Sequence, residues 1–187
     1  KGMYLLRPGS VEGVGQDARR AQILASGVGV PWALEAQQLL KDDYGVIADV
    51  WSVTSWGELR REGLAHDKAN FNDPFGEHAP TWVESKLAGT QGPIVAVSDY
   101  MHAVPDLIRP WVPREYTTLG ADGFGFSDTR AAARRYYNID GPSIAVAVLQ
   151  QLALKGEVPH EWPLEAAQRY RLDDVTAGTS GKTGDAE

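Results

Sequence analysis

Three glycines separate a short apolar run from an arginine-rich stretch in TTLGADGFGFSDTRAAARRYYNID, residues 117–140. Gly120, Gly123 and Gly125 sit in the kind of turn where many α/β proteins hold a phosphate. The loop could bind a cofactor, carry chemistry or only turn the chain. A second glycine pair, Gly27-Val28-Gly29, follows a strand-like run and opens a helical one. Asp49 lies about 20 residues further on, as a dinucleotide fingerprint requires. Trp32, however, occupies the position of the third glycine, where close helix–strand packing leaves no room for a side chain, and Asp49 falls within a strand rather than at its end. A tight turn accounts for the pair better than a nucleotide site.

The other chemical patterns are fragments. Gly181-Lys182-Thr183 matches the end of a Walker motif, but Thr176 replaces its first glycine and no strand precedes it. Gly125-Phe126-Ser127 matches half of a nucleophile elbow, with Thr129 in place of the closing glycine. Ser127 or Asp128 is better read as a helix N-cap. His66, His78, His102 and His160 lack metal-ligand spacing. Asp99 and His102, three apart, are placed to share a helix face as a solvated or capping pair.

Composition narrows the classes. Twenty-five acidic against 18 basic residues leave a formal charge of −7, which argues against nucleic acid as the main partner. No apolar run reaches the roughly 18–20 residues of a membrane span, and the start shows no signal-peptide pattern. A soluble protein is expected. The absence of cysteine excludes disulfides and thiolate chemistry and fits a cytoplasmic location. The chain opens on Lys1 and enters a strand-like run at once, so a piece of a longer polypeptide is expected.

The elements that must carry these residues alternate. Strands are predicted at 3–6, 21–26, 46–53, 93–98 and 115–120. Pro31 suits the first turn of a helix burying Ala33, Ala36, Leu40 and Tyr44, with Gly45 just past its end. Ser55 and Glu58, and again Thr81 and Glu84, have capping-box spacing at the start of short helices. Residues 63–79 read as a polar loop. Further helices are expected over about 128–137 and 142–155, the second between Pro142 and Gly156. The tail 176–187 is expected to be disordered. Such alternation predicts a mostly parallel sheet covered on both faces, with its ligand edge at the carboxyl ends of the strands. Six tryptophans raise a separate question. Trp51 lies in a strand and belongs in a core, whereas Trp56 and Trp111 fall in places where an interface would use them.

Four longer stretches go further than any of these motifs. DYGVIADVWSVTSWGELRREG, VAVSDYMHAVPDLIRPWVP, LGADGFGFSDTRAAARRYYNID and LALKGEV occur in this order between about Ala21 and Val175. Together they closely resemble the C-terminal domain of the homodimeric, thiamine-diphosphate-dependent pyruvate dehydrogenase family, the decarboxylating first component of its complex. SVTSW and RPWVP resemble this branch in particular among transketolase-like enzymes.

The resemblance implies a three-layer α/β/α domain over residues 1–175, with a five-stranded mixed sheet whose first strand is antiparallel. It also implies a parent enzyme that decarboxylates pyruvate on thiamine diphosphate and Mg²⁺, then acetylates a lipoyl group on its dihydrolipoyl acetyltransferase partner. In this family two upstream domains make the cofactor site across a subunit interface. The family's Gly-Asp-Gly…Asn motif is approached here only by Ala121-Asp122-Gly123, whose first glycine is replaced and whose next asparagine, Asn138, follows too soon. No catalytic, cofactor or metal residue is therefore expected on this chain.

The 120–128 loop resembles the family's Thr-Asp-Gly-Phe-Gly turn, with Ala121 for the commoner threonine and Phe126 for an arginine. A structural and interface loop is expected, with at least one of Gly123 and Gly125 at positive φ. Trp56, Trp111, Phe124 and Phe126 are the expected homodimer interface aromatics, at least two of them exposed. An independent domain binding a small ligand or nucleotide at the strand ends is the alternative.

Overall fold

The computed structural model describes residues 1–15 and 17–178. Five strands form one sheet in the order β1-β3-β2-β4-β5: β1 Met3–Arg7, β2 Arg20–Ala25, β3 Ile47–Val53, β4 Ile94–Val97 and β5 Tyr116–Leu119. β1 runs antiparallel to β3 and every other pairing is parallel, as expected from the sequence.

Alternation along the strands divides the core in two. Ala21, Ile23, Ala25, Val50, Val95 and Val97 face a cluster completed by α1 (Gly29–Tyr44) and α6 (Gly141–Leu154). Leu24, Trp51, Val53, Ile94 and Ala96 face the other, completed by Leu59 of α2 (Trp56–Asn72) and Val83 and Leu87 of α3 (Trp82–Leu87). The result is three layers. Helix α6 is buried from Gly141 to Leu149, because it lies between the sheet, α1 and α7 (Trp162–Arg169). An all-round apolar sequence is what such a site demands.

Most helix ends follow their caps. Ser55 accepts the Glu58 N–H at 3.2 Å, and Thr81 and Glu84 form a reciprocal capping box. Gly45 and Gly156 end α1 and α6 with φ of 62° and 70°. Two expectations are corrected. Helix α2 continues through the supposed 63–79 loop to Asn72, because Gly63 lets it pack beneath the Trp111 ring; Pro74 then forces Asp73 out of helical geometry. Helix α5 (Arg130–Tyr136) is capped by Thr129, not Ser127 or Asp128. Thr129 accepts the Ala132 N–H at 3.2 Å, a register that turns both Ala132 and Arg135 inward. Val175–Ala177 forms a 3₁₀ turn against α5 at the start of the expected tail. The rest of the expected disordered tail, 179–187, lies outside the described residues.

Arg135 joins the C-terminal elements. It is 1% exposed, and its Nε donates to Asp140 at 2.6 Å while Nη1 donates to the carbonyls of Tyr170 and Arg171 at 2.8 Å. Asp140 in turn caps α6 through the Ser143 N–H. Both charges are buried, so each depends on the other. Arg135→Met should lower stability by about 3–5 kcal/mol, read as a reduced urea midpoint at unchanged m-value. Lys155→Met, which breaks the solvent-facing pair with Glu115, should cost less than about 1 kcal/mol. Equal midpoints for the two variants would refute a structural role for the buried pair.

Candidate functional site at the carboxyl edge

Parallel register gathers the strand ends at one edge. Ala25 of β2 stands beside Val97 of β4, and Val97 beside Leu119 of β5. The residues that follow them, Ser26, Ser98 and Gly120, therefore open adjacent loops. Ser26 and Ser98 share a hydroxyl hydrogen bond of 3.3 Å, and Ser98 Oγ accepts the Tyr100 N–H at 3.1 Å. A cleft of about 630 Å³ lies here, with Ser26, Gly27, Thr54, Ser55, Trp56 and Tyr100 in its walls. Hydroxyls and apolar groups line it, without lysine, arginine, histidine or carboxylate. Among the described residues this lining offers hydroxyls and apolar contacts rather than an acid–base pair.

The sequence-predicted glycine loop is built onto this edge. His102 donates its backbone N–H to Asp122 Oδ1 at 2.9 Å, and its ring Nδ1 meets Oδ2 of the same carboxylate. The Ala121 N–H donates to the Tyr100 carbonyl at 2.9 Å. A Cβ on Gly120 would lie 2.6 Å from His102 N and 2.8 Å from Tyr100 O, so the two loops can close only over glycine. Gly123 has φ of 94°, the conformation expected for one of the pair. Gly125 does not, and a Cβ there would meet nothing.

His102 thus turns to Asp122 rather than pairing with Asp99, correcting the expected i,i+3 pair. The correction follows from the parallel register, which brings the two post-strand loops together. Asp49 also has a structural task. It accepts the Gly9 N–H at 2.7 Å and the Gln22 side-chain amide at 3.0 Å, and Gln22 accepts the Trp51 indole N–H at 2.8 Å.

The four expected interface aromatics divide. Trp56 and Trp111 are 5% and 6% exposed within the chain's own core, contrary to the expected exposed face. Trp111 lies flat over Gly63, with its indole N–H on Asp67 at 3.0 Å, and Trp56 packs with Leu59 and Val53 in the same cluster. Phe124 is 98% exposed, whereas Phe126 is half-buried and stacks on Tyr136 at 4.5 Å between ring centres. Tyr137 donates its hydroxyl to the Phe124 carbonyl. Sequence reasoning missed Tyr100, Met101 and Tyr136, all more than half exposed beside or on these loops. The adjacency of loops following paired parallel strands was the available signal.

Ala121-Asp122-Gly123 does not fit a metal–diphosphate site. The Asp122 carboxylate is engaged by His102 through both oxygens, and Asn138 ends α5 at φ of 56°. Among the described residues no group of three or more His, Asp or Glu side chains could hold a metal ion. No cofactor-dependent step is derived for this chain.

A three-layer domain with this mixed sheet has a known counterpart, and residues 2–140 match the family described as the transketolase-like TK C-terminal domain. The chain belongs to that family. Its similar relatives include the proteins named "Pyruvate dehydrogenase E1 component" of Mycolicibacterium smegmatis, 56% identical over 177 residues and 95% of this chain, and of Mycobacterium tuberculosis, 53% identical over 168 residues and 90% of it. The protein of that name from Escherichia coli K12 is 34% identical over 92% of the chain. The chain spans only 18–19% of the length of these relatives.

Among solved structures, a split-gene transketolase described as an inactive β4 tetramer matches at a TM-score of 0.53 and 19% identity, covering 82% of this chain and 43% of its own. A Pichia stipitis transketolase with xylulose 5-phosphate matches at 0.53 and 22% identity, covering 84% and 19%. At those identities the likeness speaks to the fold.

The three loop glycines should respond differently to alanine. Gly120→Ala should separate the 99–102 and 120–127 loops, since its Cβ meets backbone on both sides. Gly123→Ala should cost about 1–2 kcal/mol for its positive φ, and Gly125→Ala should be silent. Thermal unfolding and the backbone amide shift of His102 check all three. Equal effects at 120 and 125 would refute the close-approach explanation.

Proposed function

We propose that this chain is the C-terminal architectural domain of a pyruvate dehydrogenase. In this reading the parent enzyme decarboxylates pyruvate on thiamine diphosphate and Mg²⁺ held by upstream domains. It then reductively acetylates the lipoyl group of a dihydrolipoyl acetyltransferase partner in the cytoplasm. The observation that carries the reading is 56% identity over 95% of the chain to one protein of that name, with two others at 53% and 34%.

The surface offered by the glycine loop suits that role. Phe124 is almost fully exposed, and Tyr100, Met101 and Tyr136 each expose more than half of their surface nearby. Exposed aromatic and thioether groups of this kind are typical of surfaces completed by a partner. The 120–127 loop serves as part of the homodimer or interdomain contact, with Phe124 at its tip and the Phe126–Tyr136 stack as its base. In this reading Trp56 and Trp111, buried within the chain, lie outside that contact.

Two measurements test the proposal. In the full-length enzyme, Phe124→Glu should raise the dimer dissociation constant at least about tenfold by sedimentation, with pyruvate-dependent electron-acceptor reduction falling in parallel. Unchanged assembly would remove the loop from the interface. The isolated 187-residue chain should show no saturable heat with thiamine diphosphate and Mg²⁺ in calorimetry. Binding there would overturn the assignment of the cofactor to upstream domains.

A further inference from the structure

A second hollow, of about 130 Å³, lies at the opposite edge of the sheet. Ile47 and Ala48 begin β3 there, and antiparallel β1 ends there at Arg7. Gly9 and Ser10, in the loop after β1, form one side, and Gln37 and Lys41, one turn apart on α1, form another. Gln37 braces the walls, because its amide nitrogen donates to the Ala48 carbonyl at 2.7 Å and to that of Arg7 at 3.4 Å. Gly9 packs so closely that a Cβ would stand 2.4 Å from Ile47 Cγ2 and 2.7 Å from the Ala48 carbonyl oxygen. Packing and hydrogen bonds both hold the recess.

Its walls carry charge of one sign. Arg7 and Lys41 stand in them without aspartate or glutamate, in a chain whose formal charge is −7. Among the described residues neither cation forms an ion pair or a side-chain hydrogen bond, although Lys41 is half-buried. The neighbouring carboxylates are engaged by other groups. Asp42 accepts the Gln38 amide at 2.7 Å, Asp43 accepts from Arg169 and Tyr170 at 2.6 Å, and Asp49 accepts from Gly9 and Gln22. Lys41 occupies the last turn of α1, where the helix itself favours a cation. That accounts for a lysine there. It does not account for Arg7, which reaches the same recess from the end of a strand. Carbonyls of this last turn accept the Gly45 and Val46 N–H groups at 3.1 and 2.9 Å, so they oppose an anion less than a bare helix end would.

Ser10 adds a hydroxyl. Its oxygen accepts the Glu12 N–H at 3.2 Å, which leaves its own proton to donate. Two cations and a hydroxyl around so small a volume suit a compact dianion. A phosphate monoester carries about −1.5 to −2 charges near pH 7 and three strong acceptor oxygens. Arginine and lysine both serve such oxygens, the first through its fork of donors and the second as a point charge. A carboxylate brings a single charge and would leave one cation unmatched. A nucleotide would have to leave its base and sugar outside a recess of about 130 Å³.

We propose that this recess binds a phosphate group, as the free ion or at the end of a small phosphomonoester. Arg7 and Lys41 serve as its counterions and Ser10 as a neutral donor. The site lies at the amino edge of the parallel strands, about 20 Å, the length of β3, from the carboxyl-edge cleft. It is independent of the parent-enzyme reading, because it uses only residues of this chain.

The test follows the backbone ¹H–¹⁵N resonances of Gly9, Ser10 and Ala48 in the 187-residue chain, at fixed ionic strength, during titration with inorganic phosphate. Glycerol 2-phosphate and acetate form separate arms. Phosphate should shift these resonances saturably at millimolar concentration, and acetate should leave them in place. Arg7→Gln and Lys41→Gln should each weaken phosphate binding about tenfold or more, with the β4 resonances unmoved as the check that the fold persists. Arg60→Gln, which removes a cation from α2, should leave the affinity as it was. Saturable binding of glycerol 2-phosphate as well would assign the recess to phosphomonoesters, and binding of inorganic phosphate alone would assign it to the free ion. No saturable shift with phosphate, an equal shift with acetate, unchanged binding in either folded recess variant, or an equal loss with Arg60→Gln would overturn the proposal.

Discussion

Strand β2 has neither a free edge nor a free face. It pairs in parallel with β3 and β4, and every residue from Ala21 to Ala25 is buried. A backbone in that position must hydrogen-bond on both sides, and its side chains must be apolar or fully satisfied. Gln22 is the polar side chain in the run, and it meets the condition by using both ends of its amide. Its oxygen accepts the Trp51 indole, while its nitrogen reaches Asp49 and the Gln91 carbonyl. Asp49 then accepts from Gly9 and fixes the link that carries the chain from edge strand β1 to the centre. One buried amide thus ties together an aromatic in one core layer, a neighbouring strand and the opening loop. Substituting it without its partners would leave an orphaned donor on Trp51 and an acceptor on Asp49.

The same central strand determines the carboxyl edge. Parallel pairing in register makes the loops after β2, β4 and β5 neighbours, whatever their distance in sequence. His102 and Asp122 meet across 20 residues for this reason, and Gly120 is required because the Tyr100–His102 backbone already occupies the space beside it. Once the two loops are clamped, the aromatic side chains of residues 124–137 have a rigid base. Phe126 stacks on Tyr136, Tyr136 meets Tyr137 edge to face, and Tyr137 holds the Phe124 carbonyl. The exposed Phe124 ring is therefore carried by a chain of specific contacts.

The strands and their order of appearance were legible in the sequence because buried parallel strands write themselves as short apolar runs between turn residues. The caps at Ser55 and Thr81 were legible because their partners lie three residues away. Local signals failed where a contact was long-range. Trp111 looks like an interface residue until Gly63, on a helix 48 positions earlier, provides the notch beneath its ring. Trp56 directly follows a cap, and its local sequence does not show that it joins a buried cluster with the distant Met3, Leu24 and Ile108. The extent of α2 was misread for a related reason. A helix with few apolar residues has a weak periodic signal, and this one is held largely by what it packs under at its Gly63 face. The glycines were assigned to the turn correctly, but the steric demand falls on Gly120, and only the approach of the 99–102 loop shows it.

What the edge lacks and what it retains follow from one another. A catalytic site in an open α/β sheet places titratable groups on the loops that end its strands. Here two carboxylates of those loops are committed to neighbours, Asp122 to His102 and Glu58 to Arg61, and Asp99 is not among the residues lining the cleft. The backbone features of the fold cannot be removed in the same way, because helix starts and strand ends come with the topology. Beside these loop clamps the edge presents two helix starts and a hydroxyl-lined hollow. The most exposed aromatic of this edge, Phe124, is the one whose carbonyl the Tyr137 hydroxyl holds.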